Sequence, residues 1–358
     1  MKSFNEVFED KTKYGTKIKT SEYCEMGAHL IIDQGQEQVA GYTDIEEGVF
    51  EEVPVIIFGD HTRVIKYVDK PFFLGADGVK VLRSKFKNAN YKYLYYALKN
   101  ARIPNTGYNR HFKWLKEVQI EYPDYRRQEN VVKILDKVSD LIETRQHEIK
   151  RLEDLIKARF VELFGNPVIN SKNLRTMALK DVLRLKAGDF TAASDISDKL
   201  TETNKYPCFG GNGIRGYVTE YNQEGEYSLI GRQGALSGNV QFAKGKFRNT
   251  EHALLVVPMV EMNDIWLNQL LINLDLKRYQ TGAAQPGLSV KNLQEISIIM
   301  VPITEQNQFA AFVVEVHKSK FHADYSYTVM SILTDDFFSP KCFISISFIS
   351  SITSFSIW

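Results

Sequence analysis

The sequence predicts an α/β (α+β) chain of two similar domains separated by long antiparallel helices. Three observations carry this expectation. First, one unit is written twice. Gly41-Tyr42, Ile56-Ile57-Phe58-Gly59, Thr106-Gly107, Leu115-Lys116-Glu117-Val118, Pro123 and Gln128 return in the same order as Gly216-Tyr217, Ser228-Leu229-Ile230-Gly231, Thr281-Gly282, Leu293-Gln294-Glu295-Ile296, Pro302 and Gln306, offset by roughly 172 to 179 residues. Second, each copy mixes short apolar strand patterns with glycine turns. Third, each copy runs into a helical pattern, the first free of glycine and proline from Arg126 to Phe164. A repeat this long exceeds the ~20–50-residue periods of solenoids, so it reads as a duplicated domain.

The first domain is expected over residues 1–125. Its N-terminus is charged and lacks an apolar signal segment. Val53-Pro54-Val55-Ile56-Ile57-Phe58 reads as a buried strand closed by Gly59-Asp60. Val79-Lys80-Val81-Leu82 reads as a second strand, Tyr91 to Lys99 as a helix, and Val118 to Tyr122 as an alternating strand before Pro123.

A long spacer helix is expected over 126–165. Leu135, Val138, Ile142, Ile149, Leu152, Ile156 and Leu163 follow a 3-4 heptad rhythm, with Arg145 and Arg159 at two seam positions. At ~1.5 Å per residue, about 38 residues make a rod of roughly 55–60 Å. Gly165-Asn166-Pro167 is a stop signal. A helix this long with no core of its own needs a facing helix.

The second domain is expected over 166–303 and repeats the mixed character. Ala253 to Val257 and Ile296 to Met300 read as strands, and Asn263 to Leu276 as the counterpart of the Tyr91 helix. A second spacer helix follows over 304–335, with Thr304 as N-cap and Phe309, Val313 and Val316 on one face. It is expected to pair antiparallel with the first. Residues 336–358 form an atypical Ser/Ile/Phe tail, read as truncated or frame-shifted, or else as an apolar strand or binding tail.

Bulk properties narrow the function classes. With 358 residues, 44% hydrophobic and 25% charged, the chain is long enough for two or three cores. The net charge of +1 is low for a nucleic-acid binder working alone, although a basic face balanced by acidic helices stays compatible. Cys24, Cys208 and Cys342 show neither zinc spacing nor a disulfide framework, which points to reduced thiols and a cytoplasmic setting. No apolar run reaches the ~18 residues of a membrane span.

Catalytic motifs are scarce. Gly211-Asn212-Gly213-Ile214-Arg215-Gly216 fits G-x-G-x-x-G, but strand-like Tyr217-Val218-Thr219 follows where a dinucleotide site needs a helix, so a glycine turn between strands is expected. There is no Walker A sequence, no acidic pair with a nuclease spacing, no Asn-Pro-Pro-aromatic box and no H-E-x-x-H. His29, His61, His111 and His252 read as surface or satisfied buried histidines. The loops are more suggestive of DNA. Arg215, Arg232, Gln233, Lys244, Lys246, Arg248 and Asn249 in the second copy could face phosphates and base edges, as could His61, Arg63, Tyr108, Asn109, Arg110 and Lys113 in the first. His61 to Arg63 and Tyr108 to Lys113 are taken as the matching places of Arg232-Gln233 and Lys244 to Asn249.

Taken together, these residues resemble the specificity (S) subunit of a type I restriction–modification system. Asp33-Gln34-Gly35-Gln36, Gly41-Tyr42, Phe58-Gly59-Asp60, Thr106-Gly107 and Pro123 to Gln128 carry the resemblance. Gly211-Asn212-Gly213, Gly231 to Gly234, Thr281-Gly282, Leu288-Ser289 and Pro302 to Gln306 repeat it, and the match reaches from the N-terminus to about residue 320. The resemblance implies two target-recognition domains, each reading half of a split double-stranded DNA site, with the helices setting the spacer. It implies no catalysis and no cofactor in this chain. Two methyltransferase (M) subunits would use S-adenosylmethionine, and restriction (R) subunits would use ATP and magnesium. The tail departs from the family's usual heptad ending, which bears on docking of one methyltransferase. Two other readings stand beside this one: a nucleotide-dependent enzyme built on the loop near Gly211, and a helical interaction protein without a DNA role.

Overall fold

The computed structural model describes residues 1–336 except Ala76, Ala235 and 283–286, with side chains through Phe321. The expected tail beyond Asp336, including Cys342, lies outside the described residues. The chain forms two compact units, one built on Met1–Arg145 together with the chain from Tyr325 on, and the other on Gln146–Asp324.

The first unit begins with β1 (Lys2–Ser3), α1 (Phe4–Val7) and β2 (Phe8–Asp10). It continues through β3 (His29–Ile32), β4 (Gly41–Thr43), β5 (Val55–Gly59), β6 (Ile65–Val68), β7 (Phe72–Leu74) and β8 (Val79–Ser84). Then follow α2 (Tyr91–Lys99), α3 (Phe112–Leu115), β9 (Gln119–Ile120) and α4 (Tyr125–Phe164). A four-stranded antiparallel sheet has the order β2-β8-β5-β6, and a second sheet has the order β4-β3-β7. Strand β5 explains its own composition. Ile56 and Phe58 pack with Leu94 and Leu98 of α2, while Val55 and Ile57 pack with Phe72 and Leu74 on the other face. A strand buried on both faces must be apolar throughout rather than alternating. Each such side chain, taken fully out of water, stabilises by about 1.5–3 kcal/mol.

The second unit repeats this order. It contains β10 (Thr176–Ala178), α5 (Leu179–Val182), β11 (Leu183–Ala187), β12 (Tyr206–Gly210), β13 (Gly213–Val218), β14 (Gln223–Gly231), β15 (Val240–Asn249) and β16 (Ala253–Pro258). Then come α6 (Asp264–Asn273), α7 (Val290–Gln294), β17 (Ser297–Ile299) and α8 (Ile303–Asp336). Its sheet order, β11-β16-β14-β15-β12-β13, reproduces β2-β8-β5-β6 and then β3-β4, with the long β15 doing the work of β6 and β7 together. Even the unusual parallel pairing recurs, between β3 and β7 and between β12 and β15.

Small devices recur with the topology. Asn90 caps α2 by accepting from Tyr93 N–H, and Asn263 caps α6 by accepting from Ile265 and Trp266 N–H. Buried Gln128 donates its amide to Pro123 O at 2.8 Å, and buried Gln306 donates to Val301 O at 2.9 Å. Each glutamine ties a long helix to the segment that joins it to the preceding strand. Helix α8 begins at Ile303, so Thr304 lies inside the first turn and is not its cap.

Helix α4 ends at Phe164. Gly165 follows at φ +75, and the Lys172 ammonium donates to Leu163 O at 3.1 Å. In the second unit α4 and α8 pack antiparallel. Lys320 pairs with Glu153, while Phe160 and Phe164 meet Phe309 edge-on with ring centres 5.5 and 5.6 Å apart. Ile156, Val313 and Val316 are buried in the same core, with Leu152 against it. Leu135 and Val138 are buried in the first unit; Ile142 and Ile149 are half-buried. The expected heptad seam fails at its end, because Leu163 is exposed while Phe160 and Phe164 are buried. Steps of four from Leu152 through Ile156 and Phe160 to Phe164 follow the side that faces both α8 and the unit's core.

Candidate nucleic-acid interface

In the first unit, four segments distant in sequence meet where β5 ends. Asp60 is buried at their centre. Its backbone N–H donates to Gly78 O at 2.6 Å, and its backbone oxygen accepts from His111 N–H at 2.7 Å. Its carboxylate Oδ1 accepts from Phe112 N–H at 2.7 Å. Gln34 ties in the β3–β4 loop, accepting from His61 N–H at 3.1 Å and donating to Asp77 O at 2.8 Å. Below the loop, Lys66 is buried with its ammonium 3.4 Å from Asp33 Oδ1; burial pushes Lys66 below the ordinary lysine range, and Asp33 opposes the shift.

Six expected DNA-facing residues stand on this floor. The His61 ring stacks on Tyr108 with centres 5.0 Å apart and planes 12° from parallel, and Tyr108 is 89% exposed. Arg63 adopts φ +62 and donates to Ile103 O at 3.3 Å. Asn109 donates its amide to Thr106 O, which shapes the loop around Gly107. Arg110 and Lys113 are exposed, Lys113 lying 4.9 Å from the Trp114 ring centre. The Lys17 ammonium, with Arg110 adding a smaller part, holds the neighbouring Asp77 carboxyl below its usual range. The structure thus joins His61 and Tyr108 directly, sets Asn109 and Arg110 on the loop that follows Tyr108, and leaves Lys113 exposed on α3 and Arg63 turned to Ile103.

The second unit builds the same backbone lattice. Arg232 N–H donates to His252 O at 2.9 Å, and Arg232 O accepts from Leu288 N–H at 2.9 Å. These bonds match those of Asp60 with Gly78 and His111. Arg232 therefore stands where Asp60 stands, and Gln233 where His61 stands. Gly211-Asn212 is the turn of the β12–β13 hairpin, and no helix opens there. It presses against the end of β14: a Cβ on Gly231 would lie 2.2 Å from Gly211 O. Arg215 is exposed on β13 with its aliphatic stem over Gly210. Gln233 is exposed, and its Oε1 lies 3.2 Å from His252 Nδ1.

The β15 residues behave differently from expectation. They are not the counterpart of Tyr108 to Lys113, since that loop precedes α3 and its structural match precedes α7. Lys244 is paired with Glu226 across the β14–β15 ladder, and Lys246 lies 3.9 Å from Glu224 and 4.8 Å from the Tyr221 ring centre. Both cations are met locally by carboxylates. Arg248 turns back to Thr191 Oγ1 at 3.2 Å and Phe190 O at 3.4 Å. Asn249 is fully buried, its N–H donating to Asn222 Oδ1 at 2.7 Å, so it offers no amide to a ligand.

The structure adds Asp60, Gln34, His111, Glu251 and His252 to these sites. Phe58-Gly59-Asp60 was legible as a strand end, but no local pattern pairs Asp60 with Phe112. Among the described residues no group of His, Cys, Asp or Glu is placed to hold a metal, and no helix is long and apolar enough to cross a membrane.

Comparison with known proteins places these lobes among relatives. Residues 1–154 and 171–322 match the family model for the type I restriction modification DNA specificity domain. The specificity subunit of the type I restriction enzyme EcoprrI from Escherichia coli is 38% identical over 188 residues, covering 51% of this chain and 47% of the relative. A putative type I restriction enzyme specificity subunit from Haemophilus influenzae is 29% identical over 120 residues, covering 33% of this chain and 31% of the relative. The matched segments thus span about half or less of these curated relatives' length. The crystal structure of a type I restriction-modification S subunit from M. genitalium covers 93% of both chains with a TM-score of 0.60 at 18% identity, a likeness of fold.

Proposed function

The chain belongs to the type I restriction modification DNA specificity family, and on that premise we propose that it reads a bipartite double-stranded DNA site, one half with each lobe. One observation carries the proposal. The same backbone bonds recur around Asp60 and Arg232, yet the accessible side chains held there differ: His61 in one copy, Arg232 and Gln233 in the other. A common scaffold with different donors and acceptors suits two unlike half-sites. In the first lobe His61, Arg63, Tyr108, Asn109, Arg110 and Lys113 face DNA. In the second Arg215, Arg232 and Gln233 carry most of the readout, while Lys244, Lys246 and Arg248 contribute through phosphates once their local carboxylate partners yield.

The long helices set the distance between the two readings. At ~1.5 Å per residue the 40 residues of α4 extend about 60 Å. A stiff helix converts that length into a fixed number of unread base pairs. The helices α4 and α8 also offer docking surfaces for two methyltransferase subunits and for restriction subunits. The chain itself performs no chemistry and holds no cofactor; S-adenosylmethionine, ATP and magnesium act in the partners. Those partners also share the phosphate contacts, which fits the net charge of +1.

Methylome sequencing of a host expressing the chain with its methyltransferase partner tests this reading. A split methylated motif with a constant spacer is expected. A contiguous motif, or methylation unchanged by the chain, contradicts it.

A further inference from the structure

Gln233 does not stand alone on the rim of the second lobe. His252, on the turn between β15 and β16, brings Nδ1 to 3.2 Å from Gln233 Oε1 and Nε2 to 3.1 Å from Glu251 Oε1. The other carboxylate oxygen, Glu251 Oε2, is buried and has no hydrogen-bond partner among the described residues. Charged groups at this end of the sheet are Glu251 on the same turn, Arg232 after β14, Arg215 on β13 and Arg248 on β15. Arg215, Arg248 and Glu251 all act electrostatically on the buried Cys208 thiol.

An imidazole between a carboxylate and an amide has two distinct bonding states. The carboxylate only accepts, so Nε2 must carry a proton to bond it. In the neutral ring Nδ1 is then an acceptor. It must take an N–H from the Gln233 amide, which turns the amide oxygen toward solvent. In the charged ring Nδ1 carries a proton and donates to Gln233 Oε1, which turns the amide NH2 outward. A carboxyamide is nearly symmetric in shape, so this exchange changes hydrogen-bonding polarity without changing the surface.

We propose that His252 is a positioning residue that sets which end of the Gln233 amide faces the DNA, and that its protonation reverses the base preference of that position. With NH2 outward, Gln233 donates to the carbonyl oxygens of guanine or thymine. With oxygen outward, it accepts from the amino groups of adenine or cytosine. The inference rests on Gln233 being a base-reading residue of the second lobe. The first lobe has His61 at the corresponding place, its ring stacked on Tyr108 rather than bonded to an amide, so the switch belongs to one half-site only.

The test is selection from a randomised duplex DNA pool by the full chain assembled with its methyltransferase partner, at about pH 5.5 and about pH 8, which bracket the range where histidine side chains change charge. One position of one half-motif is expected to shift from guanine or thymine at the lower pH to adenine or cytosine at the higher, by about fivefold or more. His252→Lys, a fixed donor and cation, is expected to hold the low-pH preference at both values. His252→Phe is expected to erase the pH dependence. The same base at both pH values, or a pH shift that survives His252→Phe, overturns the switch. Gln233→Ala separates the two levels: a motif unchanged by it removes Gln233 from base reading altogether, whereas a motif that it relaxes at that position, with the parent chain selecting the same base at both pH values, leaves the reading intact and rejects only the role of His252.

Discussion

Removing the Asp60 carboxylate should loosen the first reading lobe while sparing the second. In Asp60→Ala the backbone bonds to Gly78 and His111 remain, but Phe112 N–H loses its acceptor at 2.7 Å. Asp60 is 3% exposed and Phe112 is 8% exposed, so water has little access to the orphaned donor. Leaving a buried donor unsatisfied costs about 1–3 kcal/mol, and a carboxylate acceptor puts the bond toward the upper part of that range. A loss of about 2 kcal/mol is therefore expected. Asp60→Asn keeps an acceptor oxygen and should cost less than about 1 kcal/mol. Urea unfolding followed by fluorescence suits the measurement, because Trp114 sits in α3 two residues beyond Phe112. The same variant should blur one half of the selected DNA motif and leave the other sharp. An Asp60→Ala chain within about 0.5 kcal/mol of the parent would refute the view that this bond anchors the loop.

Three further perturbations probe other parts. Phe160→Ala removes a fully buried ring packed on Phe164 and Phe309 and should cost about 3–5 kcal/mol by chemical unfolding; a loss below about 1 kcal/mol would mean that α4 and α8 are not joined through it. Gly231→Ala places a Cβ against Gly211 O and Leu236 O, backbone atoms that cannot swing aside, so about 1–3 kcal/mol and a blurred second half-motif are expected, and unaltered selection of both halves would count against the proposed floor of that site. Burial lowers the folded pKa of Lys66 below its ordinary 10.5, so at pH values between the two the unfolded chain binds more protons and stability from this group rises with pH. Urea midpoints measured from about pH 8 to about pH 10 should rise less, or fall more, in Lys66→Met than in the parent; parallel curves would contradict the assignment.

Much of the fold was legible because local signals agreed with tertiary burial. Tyr91 to Lys99 is a helix over the residues that the pattern marks, with Asn90 as cap. Apolar runs became β5, β8 and β16, and the duplicated landmarks became duplicated elements. Gln128 and Gln306 were visible as repeat markers, but their shared bond to a carbonyl five residues back was not. What stayed hidden depends on contacts between distant segments. The α4 seam drifts onto Phe160 and Phe164 because that helix must satisfy a lobe core as well as α8, so a two-helix heptad misplaces Leu163. Asn249 looked like a loop donor, yet it ends a strand whose side chains alternate between faces, and its turn falls inward. Lys244 and Lys246 read as free cations until the β14–β15 register set Glu226 and Glu224 opposite them. Asp60 and Phe112 are 52 residues apart, beyond any local pattern.

The claim that two independent readers share one chain is tested most directly by a lobe graft. Residues 170–303 are replaced by the same segment of a family relative with a different motif, and the methylome of a host carrying the graft and its methyltransferase partner is sequenced. One half-motif should change to the donor's while the other half keeps its bases. Change in both halves, or in neither, would contradict the account.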